Sequence, residues 1–173
     1  GAPAPAEKVS KTLFITCFLA LIATSFGFII RANIIGELGV HFNLSETQKG
    51  EILGVGLWPF ALSIILFSLV IDRIGYGRAL AFGFLCHVTA TLVTIFATGY
   101  PMLYWGTFIL ALGNGTVEAV INPVVATAYS KDKTRWLNIL HAGWPGGMVL
   151  GGLLILILMP GLDWRWKVGL LFI

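Results

Sequence analysis

Apolar positions in this chain neither alternate nor recur every third or fourth residue; they fill long blocks almost free of charge. A block of about 20 apolar residues is what a helix needs to cross a hydrocarbon layer roughly 30 Å thick. The pattern predicts five such helices, over residues 11–35, 51–71, 79–98, 102–129 and 137–159, and a sixth that starts at 164 and is incomplete at 173. The expected fold class is an all-α membrane protein. Residues 1–10, rich in Ala and Pro, offer no apolar face to bury and are expected to be a disordered tail.

The connectors carry their own start and stop chemistry. Ser45 and Gln48 stand in capping-box relation ahead of the second block, and Asp163 can cap the sixth through its carboxylate. Gly99 and Pro101 break the chain between the third and fourth blocks. Lys8 and Lys11 precede an apolar stretch over 12–30 that is longer than the core of a secretory signal and lacks a small-residue cleavage site, so it reads as a retained helix. The chain opens on Gly1 and ends in an apolar run too short to span anything, so both ends read as cuts in a longer protein.

Composition sharpens this picture. The hydrophobic set makes up 57% of the chain and charged residues 11%, against about 25% in soluble domains. The net charge of +3 and the isoelectric point near 9.0 do not point to nucleic acid, because the basic residues sit in connectors rather than along a stripe with interleaved aromatics. Short connectors make consecutive helices antiparallel. With the N-terminus in the cytoplasm, Lys8, Lys11, Arg73, Arg78, Lys131, Lys133 and Arg135 fall inside, and Lys49, Arg165 and Lys167 outside, a bias of seven to three. The expected location is therefore the cell inner membrane, multi-pass, N-terminus cytoplasmic. Cys17 and Cys86 lack any metal or redox spacing and read as small buried hydrophobes. No metal or cofactor is expected, and the absence of a G-x-x-x-x-G-K-[ST] loop argues against ATP.

The most diagnostic segment is SLVIDRIGYGRAL, which places Asp72, Arg73, Gly75 and Arg78 in the short loop between the second and third blocks. It resembles the loop signature of the major facilitator superfamily, G-x-L-A-D-R-x-G-R-R, with Asp72, Arg73 and Gly75 in matching places. Ser68 stands where the family has Gly, and Tyr76 where it has a basic residue, with Arg78 supplying a charge two positions later. LDWRWKVGLLF is similar to the entry into that family's sixth helix. The resemblance covers nearly the whole chain. It implies the N-terminal six-helix half of a carrier, with a missing C-terminal six-helix half as partner and a gating role for the 72–78 loop. A simpler reading of the loop is a turn that satisfies helix ends and anchors topology.

Two formal charges remain at membrane depth, Arg31 in the first block and Glu118 in the fourth. Such residues are costly there and by default mark function. Asn114, Glu118 and Asn122 recur at steps of four and share one side of a helix; Asn138, His141 and Trp144 recur at steps of three in the fifth block, on a side that could meet the first. Asparagines of this kind also serve as interhelical glue, Arg31 could snorkel to the headgroups, and a lone histidine is more often a packing residue. His87 is read as structural. An Arg31–Glu118 ion pair would offset the desolvation of both groups. Trp58 and Trp144 could stack on a substrate face, while Trp105, Trp136, Trp164 and Trp166 lie near span ends, where aromatic belts are expected.

GNGTVEAVINP and LNILHAGWPGG are similar to the fucose permease-like branch of sugar transporters, whose fourth helix carries an acid followed by N-P and whose fifth opens L-N. That likeness implies proton coupling at Glu118, with Arg31 as its partner in place of the branch's acid in the first helix. The likeness matches Asn122, Pro123 and Asn138 residue by residue, and together with the polar faces read above the expected substrate contacts are Asn114, Asn122, Asn138, His141 and Trp144. The expected activity is alternating-access transport of a small polar solute, with sugar the class implied and the proton as coupling ion. The alternatives are an organic-anion carrier using Arg31 and a non-transporting membrane receptor of the same fold. An intramembrane enzyme using Glu118 and His141 ranks below these, because no nucleophile accompanies them.

Overall fold

A computed structural model describes residues 11–170; the tail 1–10 and positions 171–173 of the sixth block lie outside the described residues. Seven α-helices are present among them: α1 (Lys11–His41), α2 (Glu46–Gly54), α3 (Trp58–Ile74), α4 (Tyr76–Ile95), α5 (Tyr100–Ala128), α6 (Lys133–Leu158) and α7 (Trp164–Gly169). With α2 and α3 counted as one span, five helical segments are long and apolar enough to cross a membrane.

The capping box forms at α2: the Ser45 hydroxyl accepts from the Gln48 amide and the Gln48 side chain accepts from the Ser45 amide. Asp163 caps α7 by accepting from the Arg165 amide. The second span differs from the sequence expectation in being broken between α2 and α3. Pro59 has no N–H to give the carbonyl of Val55, and the chain tightens there, with Gly56 and Leu57 donating to the carbonyls of Leu53 and Gly54. The turn from α3 to α4 is made by Gly75 alone, at φ 86° and ψ 144°, a conformation that side-chain-bearing residues adopt at a cost of about 1–3 kcal/mol. Gly75→Ala is therefore expected to lower the thermal unfolding midpoint in detergent although open space surrounds the position.

Around α5, the most enclosed span, α3 and α4 pack on opposite sides, and glycines decide where. A Cβ at Gly113 would lie 2.8 Å from that of Cys86 on α4; one at Gly115 would lie 2.3 Å from the Phe60 carbonyl oxygen on α3. Two residues along a helix turn the side-chain direction by about 200°, so the pair serves both neighbours. On the other side of the bundle α1 packs on α6 through Gly143, Gly147 and Gly151, spaced by four, where Cβ atoms would strike Phe18, Ser25 and Ile29. The two crossings correspond: Ser63 faces Gly115 in one, Ser25 faces Gly147 in the other.

Apolar clusters close the bundle at both ends. Ile34, Leu38, Ile52, Leu103 and Trp164 lie at one, and Cys17, Leu21, Ile121, Val125 and Leu140 at the other. Between them sits a buried polar layer that includes Thr24, Arg31, Thr94, Asn114, Thr116 and Glu118. Trp164, expected in an interfacial belt, is instead 2% exposed, because the α7 start folds its ring against His41 and Phe42. The outer surfaces of the helices carry exposed Leu69, Phe84 and Leu156, as lipid requires.

Candidate functional site: two polar recesses on one helix

The α5 stripe does not stay on one face. Each step of four residues advances about 40° around a helix, so Asn114 and Asn122 differ by about 80°. The structure uses this drift to place them in separate recesses.

The first recess lies among α1, the α2–α3 break and α5. Arg31 enters it with 5% of its surface exposed, which sets aside the snorkelling alternative. Its Nη2 donates to the Thr94 hydroxyl at 3.3 Å, and its Nε and Nη1 find no acceptor among the described residues. Phe28, Leu53, Gly56, Thr107 and Asn114 line the recess, whose volume of about 30 Å³ holds a water or two. Gly56 comes into the wall because Pro59 breaks the span. Asn114 has both amide atoms engaged: Nδ2 donates to the Thr24 carbonyl at 3.2 Å, and Oδ1 accepts from His87 Nε2 at 2.7 Å. The carbonyl oxygen can only accept, so Nε2 carries the hydrogen. His87 thus ties α4 to α5 and α1, a link over 27 and 90 residues that no sequence spacing announces.

The second recess, about 290 Å³, opens between α3 and α5 toward the 72–78 turn. Glu118, 9% exposed, lines it together with Ser68, Asp72, Tyr76, Asn122 and Pro123. Glu118 has no hydrogen bond or ion pair among the described residues, whose ion pairs are Lys49–Glu46, Arg165–Asp163 and Lys167–Glu37. The Arg31–Glu118 pair is therefore corrected. The two residues belong to different recesses, and the hydrogen bond of Arg31 runs to α4. Asn122 keeps a buried Oδ1 without a partner among the described residues.

The α6 residues are also placed differently from expectation. The glycine face turns α6 onto α1, leaving Asn138 and His141 exposed rather than against the α5 stripe. Trp144 is half-buried, its ring 5.4 Å from that of Phe28, with a buried Nε1 that has no partner among the described residues. Asp72, Arg73 and Arg78 are exposed and make no ion pair among the described residues.

Comparison with known proteins bears on this arrangement of spans, break and polar layer. The sequence profile of the Major Facilitator Superfamily matches residues 13–173. The chain belongs to that superfamily. Among superfamily-like relatives, the TsgA homolog of Buchnera aphidicola is 30% identical over 61% of this chain and 27% of its own length. A Bacillus subtilis protein named for niacin/nicotinamide transport, NiaP, is 26% identical over 79% of this chain and 34% of its own. The cis,cis-muconate transport protein of Acinetobacter baylyi is 26% identical over 90% of this chain and 38% of its own. The chain thus spans between 27% and 38% of the length of these relatives. Superfamily membership and the apolar spans together make it a multi-pass membrane protein. No finding singles out the fucose permease-like branch.

Proposed function

We propose that this chain contributes to a secondary transporter of small organic anions, moving a carboxylate-bearing solute by alternating access without ATP and without chemical conversion. The observation that carries this reading is Arg31, a buried guanidinium whose Nε and Nη1 are unfilled in a recess with no acid among the described residues. A buried charge without a counter-charge costs several kcal/mol, and a carboxylate offsets that cost with charge-assisted hydrogen bonds. The recess has room for the carboxylate group alone, and an apolar or unsaturated body attached to it would lie at the open side, against Phe28 and Leu53. The names of two relatives fit, since niacin is a pyridine carboxylate and cis,cis-muconate a dicarboxylate.

In this reading Arg31 holds the anion and Asn114 fixes the recess wall. Trp144 backs Phe28, and Asn138 and His141 meet the solute from the exposed face of α6. The protein sits in the inner membrane with its N-terminus cytoplasmic, and Glu118 is the proton-coupling group. Proton-coupled sugar symport is the second reading, favoured by the unpaired Glu118 beside Asn122. The test is uptake by the full-length protein in proteoliposomes with an imposed proton gradient. Labelled aromatic and unsaturated carboxylates are expected to accumulate and to compete with one another. Accumulation of hexoses with no response to carboxylates would overturn the anion reading.

A further inference from the structure

The size of the Arg31 recess is set at one point by a methyl that is absent and one that is present. Pro59 breaks the second span, and the tightened turn brings Gly56 into the wall without a side chain. A Cβ built on Gly56 would lie 3.5 Å from Thr107 Cγ2 and 3.8 Å from Phe28 Cε1, ordinary contact distances. It would therefore fit, but it would take up space that now belongs to the recess, since all three residues line it. Thr107 turns its methyl, rather than its hydroxyl, to this gap: its Oγ1 donates to the Leu103 carbonyl at 2.8 Å.

The polar groups around the gap are largely spent. Arg31 Nη2 is held by Thr94, whose own hydroxyl donates to the Ala90 carbonyl at 2.7 Å. Asn114 has its Oδ1 on His87 and its Nδ2 on the Thr24 carbonyl. Arg31 Nε and Nη1 are left, and the wall opposite them includes Phe28, Leu53, Leu110 and Ala111. A volume of about 30 Å³ takes a water or two. The two oxygens of a carboxylate can stand in for two waters. A sulfonate or a phosphonate brings a third oxygen out of the plane of the other two, and that oxygen would be pressed against apolar side chains with its water stripped away. Burying a polar atom without a replacement partner is costly.

We propose that Gly56 and Thr107 form a head-group filter, which admits a planar carboxylate to Arg31 and turns away tetrahedral anions such as sulfonates. The inference rests on the organic-anion reading and adds which anions are refused and which two residues refuse them. Charge does not make the choice, because a sulfonate carries the same single negative charge as a carboxylate and the guanidinium attracts both. Shape makes it: the flat group passes between Gly56 and the Thr107 methyl, and the tetrahedral one does not. Arg31 supplies the attraction, and the two wall residues supply the selectivity.

The experiment uses the full-length protein in proteoliposomes and two pairs of solutes that differ only in head group: benzoate with benzenesulfonate, and acrylate with ethenesulfonate. In the native protein each sulfonate is expected to compete for labelled carboxylate uptake at least about tenfold more weakly than the matching carboxylate. Thr107→Ser removes the methyl and keeps the hydroxyl for the Leu103 carbonyl. It is expected to narrow the carboxylate-to-sulfonate ratio by about tenfold, the effect of one methyl group in a tight pocket. Gly56→Ala adds a methyl at the same point and is expected to raise the KM for the carboxylates about tenfold or more, with Arg31 untouched. Its Cβ also stands 3.1 Å from the Leu53 carbonyl oxygen, so a thermal melt accompanies the uptake, and Thr107→Ser decides alone if Gly56→Ala does not fold. Equal competition by both head groups in the native protein, or a ratio that Thr107→Ser leaves unmoved, would overturn the filter. Equal competition with uptake that is lost in Arg31→Met sinks the filter and leaves the anion reading standing, whereas no uptake of any of the four solutes sinks both.

Discussion

Arg31→Met is expected to abolish carboxylate uptake while raising the melting temperature of the protein. The uptake arm follows from the Nε and Nη1 donors that no group among the described residues fills. Each charge-assisted hydrogen bond to a carboxylate contributes about 1.5–3 kcal/mol, so losing two costs roughly a hundredfold or more in affinity. The stability arm has the opposite sign. Methionine occupies similar length, loses the one hydrogen bond that Arg31 donates to Thr94, and removes a charge whose burial no ion pair among the described residues offsets. Initial uptake rates and a thermal melt on the same preparation check both arms. A variant that melts lower and transports normally would show that Arg31 is a structural post.

Gly115→Ala is expected to be the most damaging single methyl in the chain. The added Cβ meets the Phe60 carbonyl oxygen at 2.3 Å and the Ser63 Cβ at 2.8 Å, so α3 must move away from α5. That movement also breaks the bonds of the Ser63 hydroxyl to the Leu112 carbonyl at 2.7 Å and to the Thr116 hydroxyl at 3.0 Å. Overpacking and two lost buried hydrogen bonds together amount to about 3 kcal/mol or more. Loss of the monodisperse peak in size-exclusion chromatography, or a sharp fall in melting temperature, measures it. Gly146→Ala, which points into open space, is the control that should behave as the native protein.

Spans, caps and superfamily were legible in the sequence because each rests on local chemistry: apolar block length, the Ser45–Gln48 reciprocity, the Asp163 carboxylate, the D-R-x-G turn. The break in the second span was also signalled, by Pro59, but an apolar block hides a proline that its neighbours tolerate. The candidate site was legible residue by residue but not as an arrangement. Steps of four on α5 suggested a single polar face, whereas the helical drift and the opposed demands of Gly113 and Gly115 send Asn114 toward α1 and α4 and Asn122 toward α3. His87 and Thr94 became part of the picture only through contacts across 27 and 63 residues, which no periodicity encodes. The glycines of α6 form a docking ladder whose direction fixes the exposure of Asn138 and His141.

The contacts of α7 give the bundle unequal mechanical ends. Lys167 pairs with Glu37 of α1, and the Arg165 guanidinium, stacked on Trp164, donates from Nε to the Ile95 carbonyl that closes α4. That rim is stapled by ionic and aromatic clips across three helices. The opposite rim, where one glycine turns the chain from α3 to α4, has aromatic contacts of its own, Phe14 with Tyr129 and Trp136 and Phe67 with Phe82, but no ion pair among the described residues. Ionic contacts thus gather at one rim, so raised salt is expected to loosen the α7 end of the bundle while leaving the end that carries Asp72 and Arg78 unaffected.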